Sequence, residues 1–332
     1  MDITLDGDVV RAGQRARERF YDSRGYGRVR GGELDLAPVE AAHLLYRGDI
    51  EGVDGMDFRE LLTSTAVSEV EFFVYKDLRD RGFYLTPARE GWVEDSEGVD
   101  FVVYPRGQGP WDDAVAHRVR VVGERDGLPA ASLGDCVLSV VDEESEITYL
   151  DTDRPEVAGT SDPSVPATAG DLLAERAVCW DPPAALYERA FYGQRLDEDA
   201  VQLSLVEAAY LAREGHLSLD GGAEAVVERG HDVEGERFDR RLAVYTALRE
   251  SGVVPKTGFK FGADFRTYAD AESVENLGHS ERLVRVLPTE YVFEPRDLAL
   301  DVRLAHGVRK TMVFALTDGA GVEWVAVERL TP

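Results

Sequence analysis

Apolar side chains recur at helical spacing in four segments of the chain, which fall into two pairs. The first pair reads VEAAHLLY and VSEVEFFVYKDLRDRG, and the second pair reads VEAAYLA and RFDRRLAVYTALRESG. Apolar residues three to four positions apart predict amphipathic helices, and a glycine after the last one favours a helix end. The pattern therefore predicts two helices near the front of each half of the chain.

Short apolar runs follow each pair of predicted helices. They read DFVVY, HRVRVV and CVLSVV in the first half, and RLVRVL, KTMVFAL and VEWVAV in the second. Runs of this length that are rich in β-branched residues predict strands. The back of each half is therefore expected to be a mixed sheet with a helix packed on it.

The two halves repeat one another at a spacing of roughly 165 residues. Three strings recur in the same order: VEAA at 39–42 and 206–209, Y-x-x-L-R at 75–79 and 245–249, and D-F-x-x-Y at 100–104 and 264–268. Their offsets are 167, 170 and 164 residues, so they drift only by amounts that loops can absorb. The order and the offsets indicate an internal duplication.

A linker-like stretch separates the two copies. Residues 151–170 contain three prolines, many small polar residues and no aromatic residue, a composition typical of linkers. We therefore expect an α/β (α+β) protein of two tandem units, each with a small N-terminal α/β subdomain and a mixed-sheet subdomain. The predicted bounds are 1–60 and 61–150 in the first unit, 151–170 for the linker, and 171–236 and 237–332 in the second unit.

The chain has a net charge of −27, and phosphates repel such a surface. However, only four of its 37 basic residues are lysine, namely Lys76, Lys256, Lys260 and Lys310. Arginine-rich usage on a very acidic surface is expected in a high-salt cytoplasm, where salt screens the self-repulsion. The charge therefore indicates a halophilic habitat rather than a partner. Residues 256–312 carry nine basic and nine acidic side chains, so a polyanion would be repelled least there.

Several classes of function find no support in the sequence. No apolar stretch is long enough to span a membrane, and the acidic first residues do not form a signal peptide, so we expect a cytoplasmic protein. Cys136 and Cys179 lack metal-binding spacing and are expected to be reduced and buried. The histidines outside the strings described next show no paired ligand spacing, so neither a metal nor another cofactor is expected.

Three strings of the second unit carry the candidate chemistry: TGFKFGADFRTY, GHSERLVRVLP and VRLAHGVRK. They place Tyr268 eleven residues before His279, and His279 thirty-one residues before Lys310. In this combination the strings resemble the archaeal tRNA-splicing (tRNA-intron) endonucleases. The resemblance is close over residues 240–332 and extends through the repeat, in less detail, to the rest of the chain. It implies a nuclease-like, restriction-endonuclease-like fold for each mixed-sheet subdomain.

The resemblance implies roles for the three residues, with Tyr268 as base, His279 as acid and Lys310 as electrostatic stabiliser. These roles agree with the chemistry of RNA, whose 2′-hydroxyl can attack the adjacent phosphate without a metal. The implied substrate is precursor tRNA, cut in a bulge-helix-bulge to leave a 2′,3′-cyclic phosphate and a 5′-hydroxyl. Each residue taken alone is more often structural: a surface histidine, a packed tyrosine, a solvated lysine. Only their joint spacing and flanking strings favour catalysis.

The resemblance also extends to RNA binding. Arg303 matches an arginine that clamps a bulged base together with a tryptophan in some relatives, but Arg329 stands at the aromatic position, and Trp324 lies too early in its strand. Lys260 is a further candidate for RNA binding. His306 is interpreted as structural. In the first unit Tyr104 keeps the tyrosine position, whereas Ala114 and Gly134 align with His279 and Lys310, so that unit is expected to be catalytically silent.

The form of the family with two units in one chain acts as a homodimer. Its acidic loop docks on the partner's catalytic unit, and the matching loop here contains Asp142, Glu143, Glu144 and Glu146. An ordinary solvated hairpin tip remains the alternative for this loop. For the whole chain, the alternatives are a non-catalytic RNA-binding or scaffolding subunit of a splicing complex and, more remotely, a metal-dependent nuclease on the same sheet.

Overall fold

The computed structural model describes residues 3–112 and 114–332. Met1, Asp2 and Asp113, which fall within the predicted first unit, lie outside the described residues. Within the described part of the chain, no helix is both long enough and apolar enough to cross a membrane.

The first unit begins with a small sheet and its helices and continues into the strands of a larger sheet. A π-helical turn at Arg17–Tyr21 joins its first two short helices. In chain order the elements are β1 (Ile3–Asp6), β2 (Val9–Ala12), α1 (Gln14–Ala16), α2 (Asp22–Arg24), β3 (Arg28–Arg30), β4 (Glu33–Leu36), α3 (Pro38–Tyr46), α4 (Phe58–Leu62), α5 (Glu69–Asp80), β5 (Leu85–Pro87), β6 (Phe101–Val103), β7 (His117–Gly123), β8 (Leu128–Pro129), β9 (Cys136–Val141) and β10 (Ile147–Asp153).

The second unit repeats this plan. Its elements are β11 (Thr168–Leu172), β12 (Arg176–Trp180), α6 (Ala185–Glu188), β13 (Gln194–Arg195), β14 (Ala200–Ser204), α7 (Leu205–Arg213), β15 (Leu217–Ser218), α8 (Gly222–Glu234), α9 (Arg237–Glu250), β16 (Val254–Thr257), β17 (Phe265–Tyr268), β18 (Arg282–Leu287), β19 (Val292–Phe293), α10 (Pro295–Gly307), β20 (Thr311–Leu316) and β21 (Glu323–Leu330). The mixed α/β architecture that the sequence predicted is confirmed.

A ten-stranded sheet joins the two units. Its order is β16-β17-β18-β20-β21-β10-β9-β7-β6-β5, so the strands of one unit mirror those of the other about the central pair. That pair is β10 and β21, which run antiparallel with Tyr149 opposite Leu330 and Asp153 opposite Ala326. The strand that would otherwise be an open edge in each unit is therefore covered by the other unit, which removes a site for unwanted strand pairing.

Side chains alternate between the two faces of the second unit's half of the sheet, as the two-residue period of a strand requires. Leu283, Met312 and Val327 point into the cluster that contains the buried face of α10. The intervening positions, such as Val284 and Val313, point into the cluster formed with α9. The sheet is therefore buried between α9 and α10, and α10 also contacts residues of the first unit's half.

The strand registers relate the two units residue by residue. In the first unit Phe101 lies opposite Val119, and Val119 lies opposite Val137. In the second unit Phe265, Val284 and Val313 have the corresponding pairings. These registers agree with the alignment that the sequence repeat predicted.

The glutamate of the repeated VEAA string explains why that string recurs. Glu40 is fully buried, and its carboxylate accepts hydrogen bonds from the amide of Gly27 (2.7 Å) and from the N-cap amide of its own helix (2.9 Å). Glu207 makes the same two contacts, with Gly193 (2.9 Å) and with the N-cap of α7 (3.0 Å). Both glycines have positive φ, and a Cβ on either would overlap a carbonyl oxygen of the facing strand. The glutamate thus fixes each helix to the small sheet.

The arginine of the repeated Y-x-x-L-R string has an equally specific role. The guanidinium of Arg79 lies 4.0 Å from the ring centre of Tyr26, and that of Arg249 lies 4.0 Å from the ring centre of Tyr192. Such stacking is a favourable cation–π contact, and it is stronger when the pair is removed from water. It fastens α5 of the first unit and α9 of the second to their front subdomains.

The predicted linker 151–170 is irregular only between residues 154 and 167, because β10 and β11 extend into its ends. The irregular part is docked rather than free. The amide of Gly159 donates to the carbonyl of Ser251 (2.8 Å), and that of Thr160 donates to the carbonyl of Ala269 (2.8 Å). The linker therefore contacts the residue that directly follows Tyr268.

Candidate active site

Lys310 stands between α10 and β20. Its amide donates to the carbonyl of Ala305 (3.0 Å) at the end of the helix, and the preceding Arg309 has a left-handed φ of 59° that turns the chain into the strand. Its ammonium donates a hydrogen bond to the carbonyl of Ser280 and lies 5.8 Å from the ring centre of Phe261. Partial burial lowers the pKa of Lys310, and the guanidinium of Arg266 lowers it further. Lys310 thus has a fixed position in the structure.

His279 lies in the irregular segment just before β18. Its side chain is exposed, whereas the next residue, Ser280, is buried. The segment is held at Ser280 by the ammonium of Lys310 and at Glu281 by a backbone hydrogen bond from Thr311 (3.1 Å). The exposed imidazole is therefore presented from an anchored piece of chain.

His279 and Lys310 line one cleft of about 550 Å³. The cleft is formed by the end of α10, the start of β20 and the end of β21. The other side chains along it include Val302, Glu281, Arg309, Glu328 and Arg329. The structure thus brings together two imidazoles, an ammonium and two guanidinium groups beside two carboxylates. The cationic groups are suited to a phosphate with a developing negative charge.

Tyr268 ends β17, the strand next to β18. Its side chain is only 5% exposed and packs in an apolar cluster with Phe191, Val254 and Ala271. The guanidinium of Arg266 lies 5.9 Å from its ring centre. The structure therefore places Tyr268 in the strand wall beside the His279 segment, buried among apolar side chains, rather than among the residues that line the cleft.

Two hydrogen bonds link the tyrosine strand, β17, to the segment that carries His279. The amide of Ala269 donates to the carboxylate of Glu281 (3.1 Å), and the amide of Glu281 donates to the carbonyl of Thr267 (3.2 Å). The two residues that flank Tyr268 are therefore both hydrogen-bonded to Glu281, one through its side chain and the other through its backbone. Sequence reasoning did not single out Glu281. The available signal was its position, an acidic residue two positions after a candidate catalytic histidine.

The three candidate RNA-binding residues are all exposed, but they are not all in the cleft. Arg329 lines it. Arg303 projects from the exposed side of α10, beside the cleft residue Val302. Lys260 lies on the turn between β16 and β17. His306, which the sequence interpretation treated as structural, is instead exposed in the cleft wall.

The first unit lacks the corresponding groups. Counting back from the paired strands assigns Ala114 and Gly134 to the positions of His279 and Lys310, and only a short 3₁₀ turn stands where the second unit has α10. Tyr104 is buried, and its hydroxyl is hydrogen-bonded to that of Thr86 (3.0 Å). The tyrosine of the first unit therefore serves packing.

The acidic loop forms the tip of the hairpin between β9 and β10. One carboxylate oxygen of Asp142 accepts hydrogen bonds from the amides of Glu144 and Glu146, each at 2.9 Å. Glu143 forms an exposed ion pair with Arg125 at 2.7 Å. Asp142 therefore builds the turn, while the three glutamates project from it.

Sequence models of one protein family, the tRNA intron endonucleases, match three segments of the chain. The sequence model of the tRNA intron endonuclease catalytic C-terminal domain matches residues 238–324. The model of the tRNA intron endonuclease N-terminal domain matches twice, at residues 1–62 and 168–229. The double match is the tandem arrangement that the internal repeat predicted.

Relatives at high identity span the whole chain, and each of the following is named a tRNA-splicing endonuclease. The protein of Haloarcula marismortui is 78% identical over the full length of both chains, and that of Haloferax volcanii is 59% identical, also over both full lengths. The protein of Methanosarcina acetivorans is 38% identical over 99% of each chain. The predicted family and its endonuclease assignment are confirmed, and the halophilic interpretation of the composition fits the haloarchaeal relatives. The chain belongs to the tRNA intron endonuclease family.

Proposed function

We propose that this chain excises introns from precursor tRNA by cutting a bulge-helix-bulge with Tyr268, His279 and Lys310. The observation that supports this site most directly is the cleft shared by His279 and Lys310. We infer the substrate class from the names of the relatives, and the reaction from the chemistry of the three residue types.

The reaction is a transfer of the phosphate from one oxygen of RNA to another. The 2′-oxygen forms a bond to the adjacent phosphorus and loses its proton to the phenolate form of Tyr268, while the bond to the 5′-oxygen breaks and that oxygen takes a proton from the imidazolium form of His279. Histidine suits this role because its pKa ordinarily lies near neutrality. Lys310 stabilises the additional negative charge on the phosphorane. The products are a 2′,3′-cyclic phosphate and a 5′-hydroxyl, and the step uses no metal.

A bulged substrate fits this chemistry for a physical reason. In an A-form helix the 2′-oxygen is not in line with the bond that must break, whereas nucleotides of a bulge can be splayed out and held. The regular helix between two bulges can be recognised by its shape. Arg303, Arg329 and Lys260 would contribute cations on the substrate side, with Arg303 and Arg329 as a clamp of two guanidinium planes on a bulged base.

We also propose that two chains form a symmetric homodimer, because one chain carries one catalytic trio and an intron has two ends. The first unit, residues 1–150, would then be a structural unit that supplies the docking loop with Glu143, Glu144 and Glu146. The second unit, residues 171–332, would be the catalytic one, with its nuclease-like subdomain at residues 237–332.

Cleavage of a bulge-helix-bulge RNA by the purified chain, in molar salt with EDTA, tests the proposal. Cutting at both junctions with cyclic phosphate and 5′-hydroxyl ends is the expected result. An intact RNA would favour the scaffolding subunit instead, and cleavage that EDTA abolishes would favour a metal-dependent nuclease. Substitution of Lys76, a lysine of the first unit that pairs with Asp80 (2.7 Å), serves as a control for loss of charge alone.

A further inference from the structure

Phe259 is an aromatic side chain held in solvent. It is 86% exposed, whereas the next most exposed large apolar side chain of the described residues, Trp180, is 56% exposed. An isolated exposed apolar residue is common on protein surfaces and needs no explanation by itself. Phe259 differs because of where it lies and how firmly the backbone around it is fixed.

The turn that carries Phe259 is closed by hydrogen bonds. The amide of Phe259 donates to the hydroxyl of Thr257 (3.3 Å), and the amide of Phe261 donates to the carbonyl of Gly258 (2.8 Å). Gly262 closes the turn with a left-handed φ of 70°, a conformation that favours glycine. The phenyl ring is thus presented by an ordered backbone.

The same turn contacts the catalytic lysine. The ring centre of Phe261 lies 5.8 Å from the ammonium of Lys310, and the residue between the two phenylalanines is the exposed Lys260. One of the four lysines of this acidic chain, Lys260, therefore lies on the turn that contacts another, Lys310, and the same turn carries the solvent-facing ring. Proteins commonly hold single-stranded nucleic acid in this way, with a cation that binds a phosphate and an adjacent aromatic ring that stacks on a base.

We infer that Phe259 stacks on an unpaired nucleobase beside the cleaved phosphate, with Lys260 at the flanking phosphate. This inference rests on the proposed function, since it concerns how the RNA is held at the same site. The bases of a bulge are already unstacked, so an aromatic platform captures them without melting a helix. Phe259 would thereby favour cleavage at a bulge over cleavage within a duplex.

Fluorescence of 2-aminopurine, placed in the bulge of an RNA with a 2′-deoxy nucleotide at the cleaved position, tests the stacking directly. The wild-type chain should quench the probe on binding in molar salt, Phe259→Ala should lose the quenching, and Phe259→Trp should restore it. With the cleavable RNA, Phe259→Ala should weaken binding by roughly 5- to 100-fold, which corresponds to the loss of one stacked base. Trp180→Ala, which removes an exposed aromatic ring on β12, should match the wild type.

Two outcomes would overturn the inference. In the first, Phe259→Ala quenches and binds like the wild type, which would leave the ring without a role at the RNA. In the second, light scattering without RNA shows that Phe259→Ala dissociates a dimer, which would assign the ring to contact with a second copy. A wild-type chain that quenches the probe but cuts nothing would contradict the proposed function and leave the stacking intact, so the two failures are distinguishable.

Discussion

The ammonium of Lys310 donates a hydrogen bond to the carbonyl of Ser280, the residue that follows His279. The candidate electrostatic stabiliser therefore also fixes the segment that carries the candidate acid. Both groups line the same cleft, so on the proposed function a change at Lys310 is expected to alter both the charge at the bound phosphate and the position of the imidazole.

Replacement of Lys310 tests this double role. Lys310→Ala should slow single-turnover cleavage by a factor of about 10² to 10³, as expected when one donor to a developing anion is lost. Lys310→Arg should recover little, because the planar guanidinium fork cannot reproduce the compact ammonium. Lys76→Ala should cut like the wild type. Full activity of Lys310→Arg would reduce Lys310 to a diffuse positive charge.

The docked linker leads to a prediction about Tyr268. A Cβ at Gly159 would overlap the carbonyl oxygens of Gly252 and Ala269, so Gly159→Val should lift the linker from the residue that follows the tyrosine. We expect a lower cleavage rate constant with unchanged RNA binding and dimer mass. Ser164→Val, at an exposed linker position, is the matched control. Equal rate constants for the two variants would show that the linker contact does not position Tyr268.

The two buried glutamates differ in their ionisation. Burial raises the pKa of Glu40 to about 7. Burial acts on Glu207 in the same direction, but Lys256, 3.6 Å away, and the backbone amides outweigh it, so the pKa of Glu207 is lowered. The register places Thr86 in the first unit where Lys256 stands in the second. The duplicated carboxyl groups therefore respond oppositely to pH.

The consequence is a pH-dependent stability with opposite signs at the two sites. Because the folded chain binds the Glu40 proton more tightly than the unfolded chain, the contribution of Glu40 is fully present below its ordinary pKa and is lost as the pH rises through about 7. Glu207 contributes above its ordinary pKa, and that contribution is lost only as the pH falls through its lowered value.

Thermal midpoints in molar salt between pH 5 and pH 8 would measure the difference. Glu40→Gln should become more stable relative to the wild type across this range, by up to about 3 kcal/mol. Glu207→Gln should stay at a constant deficit, because Glu207 is ionised throughout. Parallel curves for the two variants would contradict the assigned difference in pKa.

The acidic hairpin tip can be tested with its turn kept intact. Because Asp142 builds the turn, only Glu143, Glu144 and Glu146 should be changed to glutamine. We expect the triple variant to be monomeric by light scattering and inactive, yet folded. A control neutralises Asp197, Glu198 and Asp199, another exposed acidic turn, and should remain a dimer. A dimeric, active first variant would show that the tip is only solvated.

Helices and strands with apolar residues on a single face could be predicted from the sequence. Elements whose apolar pattern or partner strand is less regular could not. The helix that became α5 has its N-cap at Ser68, so its start was visible in the sequence. In α10, Leu298 and Val302 are buried while Leu300 and Leu304 are exposed, and apolar residues on both sides of a helix hide its period. Strand β10 extends into the predicted linker because β21 of the other unit pairs with it, and local pattern carries no information about that partner.

For the candidate site, the sequence predicted which residues take part but not how they are arranged. The spacing of the family strings named Tyr268, His279 and Lys310, but it gave neither the burial of the tyrosine nor the bond from Lys310 to Ser280. His306 was interpreted as structural although it lies in a family string, and only the packed arrangement shows its side chain at the cleft. Burial and facing direction depend on contacts distant in sequence, which spacing does not contain.

The most direct test of the central claim is single-turnover cleavage of a bulge-helix-bulge RNA by His279→Ala, in molar salt with EDTA, with analysis of the product ends. The account predicts cyclic phosphate and 5′-hydroxyl ends for the wild type. It predicts a rate constant lowered by about 10² to 10⁴ for the variant, with RNA binding retained. His231→Ala, which removes an exposed histidine hydrogen-bonded to Asp239, should cut normally. A His279→Ala variant that cuts at the wild-type rate would contradict the account.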